Sequence, residues 1–386
     1  MQQILMINGQ VLVENRIIAD QVVVIDGEKI VAVRSAAGLD IEDFRVMDLE
    51  GKYLLPGYID TQVNGGGGVL FNDSPTVDGI RSIAGAHRQF GTTGLLPTLI
   101  SDDLEVIQEG LRAAHDAIQA GVPGVLGIHI EGPFLSQERR GVHDPRKLRQ
   151  LTHEIITQLE PLDNGCSVLT VAPETVQPRM IRELSDKGFI VCAGHSNATC
   201  KQVRLAADDG VRGFTHLFNA MSQLGAREPG MVGAALDLDQ TWCGVIADGH
   251  HVSPVSLRIA YRVKGADKMM LVTDAMPPVG SDIPEFFLLG NRVTVQDGVC
   301  VDCNGTLAGT ALNMSLALKN IMAATDCSLA EASMMASGSP AAFLGIQDCV
   351  GEIKVGSKAD FVVLDHQLEV CSTIVGGQEL WCQNRN

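Results

Sequence analysis

The chain has 386 residues, 45% of them hydrophobic and 19% charged, a length that accommodates several domains or one large barrel with an appended unit. Its 46 acidic and 29 basic residues give a formal net charge of −17, which disfavours partners rich in negative charge, such as nucleic acids and anionic membranes. No run of 18 apolar residues predicts a membrane helix, the first ten residues do not form a signal-peptide pattern, and ten cysteines are too few for a disulfide scaffold. The sequence therefore predicts a cytoplasmic protein with small-molecule partners.

Both ends of the chain are predicted to be rich in β-strands. Val and Ile dominate three early segments, which are punctuated by Asn-Gly, Asp-Gly and Glu-Gly turns, and the last part of the chain repeats this pattern. The segments are 4–13, 21–34, 46–55, 352–365 and 372–381.

The middle of the chain alternates short apolar segments with amphipathic ones, as β/α units of a parallel sheet do. Eight apolar segments predict eight strands, a number that favours a (β/α)₈ TIM-like barrel over the α/β alternative, an open doubly wound sheet. Residues 281–311 interrupt the alternation and predict an inserted hairpin. The predicted strands are 58–63, 92–100, 125–132, 167–174, 189–196, 213–220, 243–251 and 269–276.

Polar residues occur at the predicted carboxyl ends of several strands, where barrel enzymes carry their chemistry. One such residue alone is usually a satisfied structural group, but several at equivalent positions indicate a shared site. They are Gln62, Asn64, Glu131, His195, His216, His251 and Asp274.

Glu131, His195 and His216 provide one carboxylate and two imidazoles, the open three-ligand set of a catalytic divalent ion. Zinc is the first expectation, with iron, manganese and cobalt as alternatives. The open position would hold a water, whose pKa falls to about 7 on such an ion. Asp274 is then the candidate base that takes the water's proton and later returns it to a leaving group. This set predicts a hydrolase.

Two further motifs give weaker signals. Cys300 and Cys303 form a lone CxxC in the predicted hairpin, and without a second pair of ligands this argues against a metal or redox site. The glycine run 65–68 could cradle a phosphate, but no Gly-Lys-Ser/Thr follows it. We expect these glycines to let the backbone approach the site closely.

Eight segments covering essentially the whole chain resemble, in order, sequence blocks of the amidohydrolase superfamily and, within it, of the N-acetylglucosamine-6-phosphate deacetylase family. The segments are LPGYIDTQVNGGGGVLFND, IHIEGPFL, KGFIVCAGHSNAT, THLFNAM, REPGMVGAALD, IADGHHV, LVTDAM and NGTLAGTAL.

This resemblance implies a metal-dependent barrel together with a small β-sandwich that is built from both chain ends. Residues 1–55 and 346–386 would form the sandwich. Residues 56–345 would form the barrel, with the hairpin insertion near 281–311.

The resemblance also implies a single metal ion per chain. The His-x-His pair that usually holds a second ion in the superfamily is Gln62-Val63-Asn64 here, and amides are poor ligands for a transition metal. The segment 167–174 contains no lysine that could be carbamylated to bridge two ions.

For the site, the resemblance implies that His143 polarises the acetyl carbonyl opposite the metal. It implies homodimers in which one phosphate-binding group, Arg227 or His251, comes from the neighbouring subunit. The implied substrate-binding residues are Val142, His143, Asn219, Ala220, Arg227, His251, Leu307, Ala308, Gly309, Gln62 and Asn64.

The implied reaction is hydrolysis of N-acetylglucosamine 6-phosphate to glucosamine 6-phosphate and acetate. A deacetylase of the galacto epimer, or a hydrolase of another amide, is the alternative. A non-catalytic member that serves as an assembly module is a third possibility, but it would be expected to lose the metal ligands or Asp274, and this chain keeps them.

Overall fold

The structure is a computed structural model that describes residues 2–37, 42–296 and 298–383. Residues 1, 38–41 and 384–386 of the predicted terminal segments, and Asp297 of the predicted insertion, lie outside the described residues. The strands are β1 Ile4–Val13, β2 Arg16–Asp26, β3 Lys29–Ser35, β4 Arg45–Asp48, β5 Tyr53–Pro56, β6 Tyr58–Val63, β7 Gly65–Gly66, β8 Val69–Leu70, β9 Thr92–Ile100, β10 Gly127–Glu131, β11 Cys166–Val171, β12 Ile190–Ala193, β13 Val211–Phe214, β14 Trp242–Val245, β15 Met269–Leu271, β16 Glu285–Leu288, β17 Asn291–Gln296, β18 Val299–Asp302, β19 Leu307–Thr310, β20 Phe361–Leu364, β21 Val370–Val375 and β22 Gln378–Cys382.

Helices follow most of the barrel strands, and several begin at a Thr, Ser or Asn whose side chain caps the first turn. Among the described residues, none of the helices has the length and apolar character that a membrane span needs. The helices are α1 Val77–Arg88, α2 Leu104–Gln119, α3 His153–Gln158, α4 Met180–Lys187, α5 Cys200–Asp208, α6 Gly230–Asp237, α7 Pro254–Lys264, α8 Met314–Thr325, α9 Leu329–Ser333 and α10 Ser339–Leu344, with a π-helical turn at Met334–Gly338 between the last two.

Eight parallel strands form the barrel in the order β6-β9-β10-β11-β12-β13-β14-β15. Strands such as β9 are buried along their whole length, because the barrel interior covers one face and the helices cover the other. The first and last strands meet through a bridge between Val63 and Ala275 and a hydrogen bond from Asp274 N–H to the Gln62 carbonyl, 3.0 Å long. The predicted barrel is therefore confirmed, and the open sheet is excluded.

The barrel strands end earlier than the apolar segments of the sequence suggest. The prediction of a strand over 213–220 is wrong beyond Phe214, and the strand predicted over 243–251 ends at Val245. His195, His216 and Asp274 have φ angles of 47°, 33° and 51°, in the left-handed region that interrupts an extended strand. The apolar residues beyond the strand ends belong to the loops of the site.

Both ends of the chain contribute to one further sheet, in the order β22-β21-β20-β5-β1-β2-β3 with β4 paired to β1. Strand β5 joins the two ends, since it pairs in parallel with β1 and antiparallel with β20. This sheet has its own apolar core, which includes Met6, Val23, Leu54 and Phe361. The exact limits of the two units, predicted as 1–55 with 346–386 and as 56–345, stay a prediction.

The insertion is larger than the predicted hairpin, because β16 to β19 form a four-stranded antiparallel sheet. Its last strand bonds to the barrel through Met276 N–H and the Thr310 carbonyl, at 2.9 Å. This contact fixes Leu307–Thr310 beside the end of β15, so the insertion forms one wall of the barrel mouth.

Candidate active site

Three predicted ligands converge at the mouth of the barrel. Glu131 ends β10, and His195 and His216 follow β12 and β13. The Glu131 Oε1 atom lies 3.1 Å from Nε2 of His195 and 2.8 Å from Nε2 of His216, and the two Nε2 atoms are 3.0 Å apart. All three side chains are buried, and their ligand atoms lie within 4.8 Å of one another. The group could hold one divalent ion.

The hydrogen bonds of these side chains suit metal binding. The Arg139 carbonyl oxygen accepts a hydrogen bond from Nδ1 of His195, at 2.9 Å, so the lone pair of this imidazole is on Nε2 and faces the site. Although burial opposes its ionisation, the two histidines beside it hold the pKa of Glu131 well below its usual range. Burial lowers the pKa of His216, but the Glu131 carboxylate outweighs this and leaves it raised. An anionic carboxylate therefore lies beside two nitrogens, a donor set that fits a divalent metal.

Asp274 follows β15 and is held by two amide donors. Its Oδ1 accepts hydrogen bonds from Nε2 of Gln62 at 3.1 Å and from Nδ2 of Asn64 at 2.6 Å. Nε2 of Gln62 also donates to Glu131 Oε1, at 3.2 Å. Burial first, and then the negative charge of Glu131, raise the pKa of Asp274 to about 6. Gln62 and Asn64, predicted to bind substrate, thus contact the acidic side chains from inside the barrel.

His143 reaches the same site from the loop that follows β10. Its ring packs edge-on against the ring of His195, with 4.5 Å between ring centroids. Burial, and then the charge of His195, lower the pKa of His143 to about 3, so this imidazole is neutral. A neutral imidazole beside the metal ligands can donate one hydrogen bond into the site.

These side chains border a cavity of about 320 Å³. Seven of the predicted substrate-binding residues line it: Val142, His143, Asn219, Ala220, His251, Leu307 and Gly309. Sequence reasoning missed five further lining residues: Ile100, Gly141, Ile246, Met276 and Thr306. Ile100, Ile246 and Met276 look like core residues in the sequence, since they continue apolar runs, and nothing local distinguishes them.

The other predicted substrate-binding residues do not border this cavity. Ala308 is buried on the opposite side of β19 from Leu307 and Gly309, as the alternation of a strand requires. Arg227 is exposed in the loop between β13 and α6. Its sequence neighbour Glu228 instead accepts hydrogen bonds from the backbone N–H groups of Cys200 and Gly230.

His251 lies at the cavity wall and is oriented by a carboxylate. Its Nδ1 is 2.6 Å from Oδ2 of Asp248. Although burial opposes it, the hydrogen bond and charge of His251 lower the pKa of Asp248. The other ring nitrogen is left for a ligand.

The glycine run is not a phosphate cradle. The N–H groups of Gly65, Gly67 and Gly68 donate to the carbonyls of Ala275, Val279 and Pro277 at 2.8, 2.7 and 2.9 Å. These bonds attach the loop after β6 to the segment that follows Asp274. A Cβ atom at Gly65 would lie 2.5 Å from the Val69 carbonyl oxygen, so the close approach needs glycine.

The structure gives no support for a metal or redox site at the CxxC motif. Cys300 is buried in the inserted sheet, and burial raises its pKa to about 12, which keeps the thiol protonated and unreactive. Cys303 is exposed at the end of the same hairpin.

Known proteins resemble this chain over most of its length. A model of the amidohydrolase family matches residues 53–380. An N-acetylgalactosamine-6-phosphate deacetylase of Shewanella sp. (strain ANA-3) is 45% identical over 328 residues, which are 85% of this chain and 83% of the relative. An N-acetylglucosamine-6-phosphate deacetylase of Haemophilus influenzae is 35% identical over 382 residues, 98% of this chain and 99% of the relative. The crystal structure of N-acetylglucosamine-6-phosphate deacetylase from Pasteurella multocida matches with a TM-score of 0.94 and 34% identity, covering 98% of this chain and 99% of that one.

Proposed function

Because this chain belongs to the amidohydrolase family, we propose that it is the metal-dependent deacetylase that hydrolyses N-acetylglucosamine 6-phosphate to glucosamine 6-phosphate and acetate. The observation that carries the proposal is the meeting of Glu131, His195, His216 and Asp274 at one wall of a cavity that can admit a monosaccharide. Relatives at 35–45% identity with this activity on amino-sugar phosphates support the substrate class.

Glu131, His195 and His216 are the proposed ligands of a single divalent ion, zinc in the first instance, with iron, manganese or cobalt as alternatives. The amide side chains of Gln62 and Asn64 donate to Asp274 and Glu131, and this use of their N–H groups supports a single metal site. When bound, the ion would activate the hydrolytic water and polarise the acyl oxygen.

The chain's own groups then move the protons. Oδ1 of Asp274 is occupied by two amide donors, which leaves Oδ2 to accept the proton of the attacking water. Once protonated, the same carboxyl group delivers that proton to the leaving amine nitrogen. His143 donates a hydrogen bond to the acyl oxygen, where negative charge develops as the water adds to the carbonyl carbon.

The phosphate group needs local donors, because a net charge of −17 repels it at long range. His251 borders the cavity and Arg227 does not, so we propose that His251 binds within the chain and that Arg227 acts in the site of a second copy. An exposed apolar stripe on α7, formed by Val255, Ile259 and Val263, supports a homodimer. The enzyme is proposed to work in the cytoplasm, since its cysteines are free thiols.

N-acetylgalactosamine 6-phosphate is the second candidate substrate. It is favoured by the 45% identity to a relative named for that epimer, a higher identity than the 35% found for the glucosamine deacetylase of Haemophilus influenzae. Both epimers present the same acetamide and the same phosphate, so the proposed chemistry serves either one.

One experiment tests the function and separates the epimers. Acetate release is measured against both 6-phosphates side by side, with the metal content determined on the same sample. We expect release from N-acetylglucosamine 6-phosphate and about one metal equivalent per chain. Faster turnover of the galacto epimer would transfer the assignment to the second candidate, and release from neither sugar would overturn the proposal.

A further inference from the structure

We propose that Ser101 is a positioning residue that fixes the tautomer of His143, so that His143 presents an N–H group to the substrate. The inference rests on the proposed function, because it explains how His143 is able to donate to an acyl oxygen. Ser101 directly follows β9, and no sequence motif marks the end of this strand as functional.

Two atoms of Ser101 point at the same ring nitrogen. The backbone N–H of Ser101 donates to Nδ1 of His143 over 3.2 Å, and its Oγ lies 2.7 Å from that nitrogen. A backbone N–H can only donate, so Nδ1 must carry a lone pair. The neutral ring therefore carries its proton on Nε2, the nitrogen left for the cavity that His143 lines.

The segment around Ser101 is held rigidly. Asn72 donates to the Ile100 carbonyl at 3.2 Å, accepts from the Ile100 N–H at 3.0 Å and donates to Asp102 Oδ2 at 3.2 Å. Asn72 therefore holds the backbone just before Ser101 and the side chain of the residue just after it, which restrains the direction of the Ser101 N–H.

The loop that carries His143 is attached to the same segment. Nζ of Lys147 is 2.8 Å from Oδ1 of Asp102 and also pairs with Asp103, and Arg149 contacts Asp103 Oδ1 at 2.7 Å. These ion pairs attach the loop that follows His143 to the segment that follows Ser101. Ser101 therefore contacts the His143 imidazole on the side away from the cavity. Polar partners orient metal-bound histidines in the same way.

Packing leaves little freedom for the Ser101 side chain. Ser101 is buried, and a Cβ atom at Gly132 would lie 2.3 Å from its Oγ. The hydroxyl group is thus confined beside Nδ1, where it can donate a second hydrogen bond to the same lone pair.

The first test reads the tautomer directly. The metal-loaded protein is labelled with ¹⁵N-histidine, and the His143 ring signals are assigned by their loss in His143→Gln. We expect the Nε2–H tautomer in the wild type. The Nδ1–H tautomer would overturn the proposal, and this readout is independent of the substrate, so it stands even if the proposed reaction fails.

The second test uses variants and a matched control. Ser101→Ala keeps the backbone donor but loses the hydroxyl, so kcat should fall about 5- to 10-fold, the worth of one hydrogen bond, with KM within about twofold. Ser101→Asp replaces the hydroxyl donor with a carboxylate, which can only accept and therefore opposes the Nδ1 lone pair, so kcat should fall further than in Ser101→Ala, by about 100-fold. Ser167→Ala is the control, because Ser167 is equally buried and its Oγ accepts the Leu162 N–H at 2.9 Å, away from His143. Equal kcat values for Ser101→Ala and Ser167→Ala, or a folded Ser101→Asp with wild-type kcat, would overturn the proposal.

Discussion

Asp274 combines two properties that a general base needs. Amide donors from Gln62 and Asn64 hold its carboxylate in place, and a pKa of about 6 keeps it ionised at neutral pH yet basic enough to take a proton. The first property comes from the two positions at which the resemblance would place a metal-binding histidine pair. In this chain they supply hydrogen-bond donors to the proposed base.

Asp274→Asn should lower kcat by about 10²- to 10⁴-fold, the usual contribution of a general acid–base, while metal content stays unchanged. Wild-type activity should decline below about pH 6, as the Asp274 carboxylate gains its proton, and this acidic limb should disappear in the variant. The exposed Asp282→Asn is the control. A variant that keeps more than about a tenth of wild-type kcat would remove Asp274 from the mechanism.

His195→Ala and His216→Ala should each lose the metal and the activity together. Both side chains lie at strand ends, so the barrel strands remain paired and the far-ultraviolet circular dichroism should match that of the wild type. The measurement is the metal content and the activity of the purified variants. Full metal content in either variant, or two equivalents in fully active wild type, would contradict the single three-ligand site.

At the scale of elements, the weak point of the barrel is the seam between β6 and β15, where few backbone bonds join the strands. The carboxylate of Asp60 crosses this seam. It accepts from Thr273 Oγ1 at 2.5 Å, from Gln62 N–H at 3.2 Å and from Thr273 N–H at 3.3 Å. Burial raises the pKa of Asp60 to about 7. This group thereby connects the strand of Gln62 with the strand that leads to Asp274.

Asp60→Asn should change how stability depends on pH. A carboxyl group with a pKa of about 7 when folded and about 3.9 when unfolded binds its proton more tightly in the fold. Its contribution is present below about pH 4 and is lost as the pH rises through 7. Asn cannot ionise and mimics the protonated acid, so the variant's Tm relative to wild type should be higher at pH 8 than at pH 5. The same difference in Tm between variant and wild type at pH 5 and pH 8 would contradict the raised pKa of Asp60.

The elements and the convergence of Glu131, His195 and His216 could be predicted because their signals are local. Buried strands appear as apolar runs, and Glu131, His195 and His216 directly follow such runs. The left-handed turns at His195 and His216 cannot be predicted from composition, so the predicted strands are longer than the observed ones. Ser101 contacts His143 and Thr306 lines the cavity only because the fold brings distant parts of the chain together, and in the sequence both resemble ordinary loop residues.

At the scale of the whole molecule, a strongly acidic protein is proposed to bind a dianionic substrate. Salt screens the repulsive field beyond about 8–10 Å, so recognition depends on groups at the site itself. Arg227 is exposed and does not border its own cavity, which is why we propose that it acts in the phosphate site of a second copy of the chain.

Arg227→Ala should erase most of the preference for the 6-phosphate over the unphosphorylated sugar. Arg227→Lys keeps the charge but loses the two-pronged guanidinium contact, so KM should rise while kcat changes little. Steady-state kinetics on both sugars makes the measurement, with the exposed Arg262→Ala as control. An unchanged preference in both Arg227 variants would place the phosphate site elsewhere.

The sheet shared by the two chain ends also constrains the order of events during synthesis. Strand β5 needs β20 as its antiparallel neighbour, and more than 300 residues separate them along the chain. While the ribosome is still translating the barrel, β5 has β1 on one side and an unpaired edge on the other. That edge is open to other nascent chains until β20 emerges. Strand β20 therefore covers an edge of β5 that stays unpaired for most of translation.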